Sequence, residues 1–382
     1  MSMNFDLEQF EGLKTPFYWY DSKLLDQTLQ TVKSLADRHG YHVHYAVKAN
    51  GNLEILRRVN AAGLGTDCVS GNEILQSIAA GIAPEKIAFA GVGKSDEEIR
   101  IGLENNIFCF NCESIPEIEV IDEIAGQMGK RAHIALRINP NVHASTHHYI
   151  TTGLEENKFG INTWALDDVL KVLERTKNVE LIGLHFHIGS QILDMQDFRN
   201  LCTRVNEIQE WFYARKIIVD HINVGGGLGV NYEQPDKQPI PTFEEYFKVF
   251  AESLKLRPKQ QLHFELGRAI VAQCGSLITK VLYVKNGTNK KFAIVDAGFT
   301  ELIRPALYQA VHKIENISST EPEEKYDVVG PICESSDCFA KSIDLAGCHR
   351  GDLLAIRTAG AYGEAMASTY NLRTLVKGYF SK

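Results

Sequence analysis

Between residues 40 and 265 the hydrophobic pattern switches repeatedly between two periods. Short runs with apolar residues at alternate or successive positions predict strands at His42–Lys48, Leu64–Val69, Lys86–Ala90, Ile107–Phe110, His133–Ile138, Leu181–His187, His221–Val224 and Leu262–Glu265. Between them the apolar positions take helical spacing. Leu53, Leu56 and Val59 form one such set, Ile74, Leu75 and Ile78 another. Val120, Ile121 and Ile124, then Val169, Leu170 and Leu173, and the longer Phe198–Ala214 stretch continue the series. Strands alternating with helices in this way predict an α/β fold closed as a (β/α)8 TIM barrel, whose usual size is about 250 residues. An open doubly wound sheet shares the alternation. After Glu265 the helical spacing lapses. Ile278–Lys285, Phe292–Ala297, Tyr326–Val329, Leu353–Thr358 and Leu375–Phe380 predict a second, mainly antiparallel β domain, to which the early Phe17–Tyr20 run could add a strand. The expected division is a barrel over residues 22–266 and a β domain from 1–21 plus 267–382, with 233–241 as a surface loop.

Composition narrows the function classes. A 382-residue chain with 44% hydrophobic and 23% charged residues suits a two-domain enzyme with a full core. Its net charge of −8 argues against a general nucleic-acid binder. The opening Met1-Ser2-Met3-Asn4-Phe5-Asp6 lacks the basic-then-apolar pattern of a signal peptide, and no stretch is apolar enough to span a membrane. A cytoplasmic location is expected. The eight cysteines are scattered, which suits reduced thiols. Cys109 and Cys112 fall three apart on an expected strand, so they face opposite sides and suit neither a metal nor a redox pair.

Candidate chemistry gathers at the carboxyl ends of the strands, where barrels place their active sites. Lys48 ends the first strand. An ammonium there can be desolvated into a Schiff-base nucleophile; that segment alone favours an ordinary surface lysine, and the rest of the chain reverses the preference. Asp67 and Ser70 follow the second strand, Arg137 lies on the fifth, and the sixth ends His185-Phe186-His187-Ile188-Gly189-Ser190. His185 and His187 could ligate a metal, but no third and fourth ligand accompanies them, so no metal is expected. Gly225, Gly227 and Gly229 do not match a dinucleotide fingerprint, yet backbone N–H groups after a strand can hold a phosphate. Arg268 would add donors there, and Glu265 could keep a ring nitrogen protonated. An amine, an anion site and a carboxylate for a pyridinium nitrogen together describe pyridoxal 5′-phosphate binding.

Several motifs carry a resemblance over about residues 15 to 375. They are Tyr45-Ala46-Val47-Lys48-Ala49-Asn50, Lys158-Phe159-Gly160 and His187-Ile188-Gly189-Ser190-Gln191, then Arg304-Pro305-Ala306-Leu307-Tyr308, Cys333-Glu334-Ser335-Ser336-Asp337 and Gly360-Ala361-Tyr362-Gly363. With them the chain resembles the fold-type III, alanine-racemase-like pyridoxal-phosphate decarboxylases, and among these the members that act on diaminopimelate. The resemblance implies decarboxylation of meso-2,6-diaminopimelate to L-lysine and carbon dioxide, the last step of lysine biosynthesis. A basic amino acid decarboxylase for ornithine, lysine or arginine, or a non-catalytic regulatory homologue, is the alternative. The resemblance further implies that Lys48 carries the cofactor, His187 stacks on its ring and Glu265 pairs with its nitrogen. Asp67 and Arg137 join the cofactor site. Ser190, Gly226, Gly227, Gly267 and Arg268 hold the phosphate, helped by Tyr362. Arg268, Arg304, Tyr308 and Tyr362 bind substrate, Glu334 binds its distal ammonium, and Cys333 reprotonates the α-carbon. Cys333 and Glu334 are implied to reach the neighbouring subunit's site in a homodimer. One departure is Glu265-Leu266-Gly267-Arg268, where the family has proline in the second position.

Overall fold

The computed structural model describes residues 5–142 and 158–382. Residues 1–4, which open the segment read for a signal peptide, and 143–157 lie outside the described residues. Among those described, no helix is long and apolar enough to cross a membrane.

Strand β1 (Phe17–Tyr20) comes first. Then follow β2 (His42–Ala46), β3 (Gly65–Cys68), β4 (Ile87–Phe89), β5 (Cys109–Cys112), β6 (Ala132–Arg137), β7 (Val179–His185), β8 (His221–Asn223) and β9 (Gln261–Leu266). Each strand from β2 pairs in parallel with the next, and β9 pairs with β2, closing the barrel. The open-sheet alternative is excluded. Several helices between the strands start where a side-chain oxygen meets their free N–H groups. Asn52 caps Leu53–Ala61, Ser70 caps Gly71–Ala79, Asp194 caps Met195–Ala214, and a reciprocal Ser95–Glu98 box opens Asp96–Glu104. The period of two sorts each strand's side chains. On β9, Phe264 packs outward against Tyr246 and Phe250, while His263 and Glu265 point into the barrel. Cys109 and Cys112 are buried free thiols, pushed further from ionisation by that burial.

Near the amino ends of the strands the barrel encloses a chain of imidazoles. The Lys86 carbonyl accepts from His44 Nδ1 (3.1 Å). His44 Nε2 then accepts from His263 Nδ1 (2.9 Å), and His263 Nε2 from His221 Nδ1 (3.0 Å). One proton per ring satisfies the whole run. Burial lowers His44 to about 4, against the pull of Glu265, and likewise holds His263, His221 and His42 below the ordinary histidine range. The unfolded chain therefore binds more protons as pH falls below about 6.5, so the full stability above that pH declines towards pH 4. For His44 alone the difference is about 3 kcal/mol. Thermal melts from about pH 7 to about pH 4.5 should show a falling Tm, and His44→Leu should flatten that slope. An unchanged slope in the variant would contradict the assignment.

The remaining strands are β10 (Gly275–Asn286), β11 (Lys291–Val295), β12 (Ile314–Asn316), β13 (Glu323–Val329), β14 (Cys338–Ala346), β15 (Leu353–Ile356) and β16 (Gly378–Phe380). Their order is β12-β15-β10-β11-β13-β14, with β1 pairing β10 and β16. The sheet is mostly antiparallel, but β1 with β16 and β11 with β13 run parallel. β12 and β14 were not legible in the hydrophobic pattern. In β14 the alternation breaks where Ser342 takes φ 54° and the register against β13 shifts.

Two compact units emerge: residues 29–229 with 242–267, and residues 1–28 with 230–241 and 268–382. The segment expected as a surface loop, 233–241, is held within the second unit. Pro235 is buried, Asp236 pairs with Arg357 at 2.9 Å, and Gln273 donates to the carbonyls of Pro235 and Gln238.

Candidate active site

In the barrel unit β2 stops at Ala46, and Val47–Ala49 forms a single 3-10 turn. Val47 and Ala49 are buried, whereas the Lys48 side chain is 41% exposed. Lys48 is thus presented by the turn and accessible, which corrects the expectation of a desolvated ammonium. Its Nζ lies 3.8 Å from Asp67, the residue that pairs with Ala46 across the β2–β3 register. Gly267, expected to contribute to a phosphate site, also packs against this turn. A Cβ there would come within 2.9 Å of Ala49 and 3.1 Å of Ala46, so only glycine lets the end of β9 pass the lysine turn.

Glu265 is fixed from three strands. Asn223 donates to Oε1 at 2.8 Å, Asn111 to the same oxygen at 3.2 Å, and His185 Nε2 to Oε2 at 2.9 Å. Burial pushes this carboxyl up, but His185, Lys48 and His187 outweigh it and hold Glu265 below the usual carboxylate range. Asp67 moves the other way. It is fully buried, neither oxygen has a hydrogen-bond partner among the described residues, and burial followed by the charge of Glu265 raises it well above the usual range. The two nearby carboxyls are thus driven in opposite directions, Glu265 towards its charged form and Asp67 towards its neutral one.

His187 lies just past β7, half-buried, with Nδ1 accepting the Gly226 N–H at 3.3 Å. Burial, then the charges of Arg137 and Lys48, lower it well below its ordinary range. The Gly225–Gly227 turn is an obligate glycine cradle: a Cβ on Gly226 would fall 1.8 Å from the Glu265 carbonyl oxygen, and one on Gly227 2.7 Å from that of Gly189. The N–H groups of Gly225 and Gly226 are engaged by Asn223 and His187, which leaves Gly227 as the open donor of the turn among the described residues. Ser190 is half-exposed on the loop after β7. Arg137, whose charge bears on His187 and Asp67, is bonded to Glu113 at 2.5 Å and covers the Phe159 ring at 4.7 Å. Glu113 in turn accepts the Gly91 and Gly160 N–H groups.

In the β unit Arg268 donates to the Tyr232 hydroxyl (2.5 Å) and lies over the Tyr362 ring (4.8 Å). Tyr362 itself holds φ 56°, a strained conformation for a residue with a side chain. Arg304 opens the short helix Arg304–Tyr308, which places Tyr308 one turn later, half-buried. The Arg304 guanidinium lies 4.6 Å from the Tyr232 ring, and the residue is only 5% exposed. No carboxylate lies within ion-pair distance of it among the described residues. Cys333–Ser336 forms an exposed turn pinned by buried Asp337, which accepts the Phe299 and Ile332 N–H groups at 2.7 Å each. Glu334 accepts from the Tyr370 hydroxyl at 2.7 Å.

The barrel unit's residues fit pyridoxal 5′-phosphate: an accessible amine at Lys48, an ionised carboxylate on Glu265, an orphaned acid at Asp67 and a glycine cradle. Residues 22–272 match the pyridoxal-binding domain of the pyridoxal-dependent decarboxylases. The chain belongs to that family. The diaminopimelate decarboxylase of Bacteroides thetaiotaomicron is 62% identical to it over 378 residues, covering 99% of this chain and 98% of the relative. The crystal structure of diaminopimelate decarboxylase from Helicobacter pylori complexed with L-lysine has TM-score 0.93 at 40% identity, covering 98% of this chain and 93% of that one. The M. jannaschii enzyme in co-complex with L-lysine gives 0.90 at 34%, covering 98% and 89%.

Sequence reasoning missed Asn111, Asn223, Glu113, Tyr232 and His312, and read His185 only as a possible metal ligand. Asn111 and Asn223 carried a usable signal, since each is a polar residue at an inward position of a barrel strand.

Proposed function

We infer that this chain is a pyridoxal 5′-phosphate-dependent decarboxylase that converts meso-2,6-diaminopimelate to L-lysine and carbon dioxide, the closing step of lysine biosynthesis. The observation that carries the substrate is Arg304, a buried cation with no carboxylate at ion-pair distance among the described residues. A buried charge left uncompensated is costly, so a ligand carboxylate is its natural partner.

Bound cofactor supplies an electron sink for the pair left on the α-carbon when carbon dioxide departs. Lys48 would hold it through the ε-amine, and the Glu265 carboxylate, oriented by Asn111, Asn223 and His185, would keep a proton on the ring nitrogen. His187 would cover the ring face, while Gly227 and Ser190 would donate to the phosphate. Arg268, Arg304 and Tyr308 would bind the carboxylate that is retained, and Glu334 the ammonium beside it. Cys333 would return one proton to the α-carbon, which balances the lost carboxylate. The direct test is the product: meso-diaminopimelate should give L-lysine and carbon dioxide in equal amounts, and a different amine product would reject the reading.

The β unit would complete the site across a homodimer. Cys333 and Glu334 stand exposed on a turn whose base is buried, as groups offered to another chain would. Lys48→Ala and Cys333→Ala should each be inactive. Mixed and reassorted, they should recover roughly a quarter of wild-type activity, since about half the dimers would hold one intact site. Proven subunit exchange with no recovery would place these groups in one chain.

A further inference from the structure

Arg304 donates from Nη1 to His312 Nε2 at 2.9 Å. His312 Nδ1 donates to the Arg357 carbonyl at 2.8 Å, so the ring's single proton is fixed on Nδ1 and Nε2 is left as the acceptor. The same imidazole meets the Tyr232 ring edge to face at 5.1 Å, and Tyr232 lies under Arg304 while its hydroxyl accepts from Arg268. Both arginines are therefore referenced to one Tyr232–His312 pair. Nothing in that pair bears a negative charge.

We propose that His312 is a specificity-positioning residue, holding the Arg304 guanidinium in place without neutralising it so that its charge is kept for the carboxylate the product retains. The proposal rests on the substrate reading above. A carboxylate at this position would hold the guanidinium just as firmly but would occupy its charge, and the site would lose its reason to prefer an acid. An apolar side chain would leave the charge unanchored. A neutral acceptor does what neither can. His312 remains one throughout the working pH range, because burial and then the Arg304 charge lower it to about 3. The other charged group bearing on it is Arg268, which acts in the same direction.

Two ligands isolate the effect. L-lysine and cadaverine share both amines and the carbon chain and differ only in the carboxylate, so the ratio of their inhibition constants against meso-diaminopimelate reads that carboxylate alone. Wild type should favour L-lysine strongly. His312→Leu should cut the ratio by about tenfold or more, with the cadaverine constant changed less than about threefold. His312→Glu should cut it further, despite being a better hydrogen-bond acceptor. His312→Gln, which keeps a neutral acceptor, should restore it and leave the acid limb of the pH profile unmoved. A merely structural role would weaken both ligands together. If His312→Leu does not fold, His312→Glu decides the matter. An unchanged ratio in folded His312→Glu overturns the proposal, while a wild type that yields no carbon dioxide from the diacid would instead overturn the functional reading.

Discussion

Replacing Lys48 with alanine should lower decarboxylation on the order of 10⁴-fold or more, the scale expected when a group that bonds covalently to the reacting system is removed. Three features of the chain converge on this residue. It is the exposed member of an otherwise buried turn, its amine is 3.8 Å from the Asp67 carboxyl, which has no hydrogen-bond partner among the described residues, and Gly267 packs directly on Ala46 and Ala49 of the same segment. The loss should arise from chemistry rather than folding, because an exposed side chain contributes little to the core. Borohydride reduction followed by peptide mass spectrometry gives a second readout. Wild type should carry a pyridoxyl group on Lys48, and the variant should carry none. Label on another lysine would show that the wrong amine has been assigned.

Arg304→Met carries the other large effect. The residue is 5% exposed, its contacts are an imidazole nitrogen and a tyrosine ring, and the nearby charge of Arg268 is of the same sign as its own. Removing one partner of a buried charge pair leaves the other desolvated and alone, so kcat/KM for meso-diaminopimelate should fall about 10³-fold. Methionine fills similar volume, which limits damage to packing. Turnover of monocarboxylates such as ornithine should change less than about tenfold, because they present no second carboxylate to lose. Equal losses for both kinds of substrate would mean that Arg304 acts on the fold and not on the diacid.

The barrel was legible because its strands and helices impose different periods on the same chain, and the strand-end rule then pointed to Lys48, His187, the glycine turn and Glu265. What holds Glu265 was harder to see. Asn111, His185 and Asn223 come from β5, β7 and β8, and only closure of the barrel brings their side chains to one carboxylate. Arg137 lies where the strand-end rule places a site residue, and what the pattern could not show is that Glu113 and Phe159 hold it there. Tyr232 and His312 gave no periodic signal, since they meet Arg304 through segments 72 and 8 residues away whose path the pattern does not specify. Strand β14 escaped for a local reason, as its bulge at Ser342 interrupts the alternation on which strand recognition depends.

The central claim is that this site selects a diacid by pairing a buried, uncompensated guanidinium with the carboxylate its product keeps. Carbon dioxide release by the wild-type holoenzyme, measured as kcat/KM for meso-diaminopimelate, L-lysine and L-ornithine under one set of conditions, tests it most directly. A preference for the diacid of about 10⁴-fold or more is expected, the scale at which a polar site rejects an analogue lacking its partner group. Comparable turnover of L-lysine or L-ornithine would contradict the account.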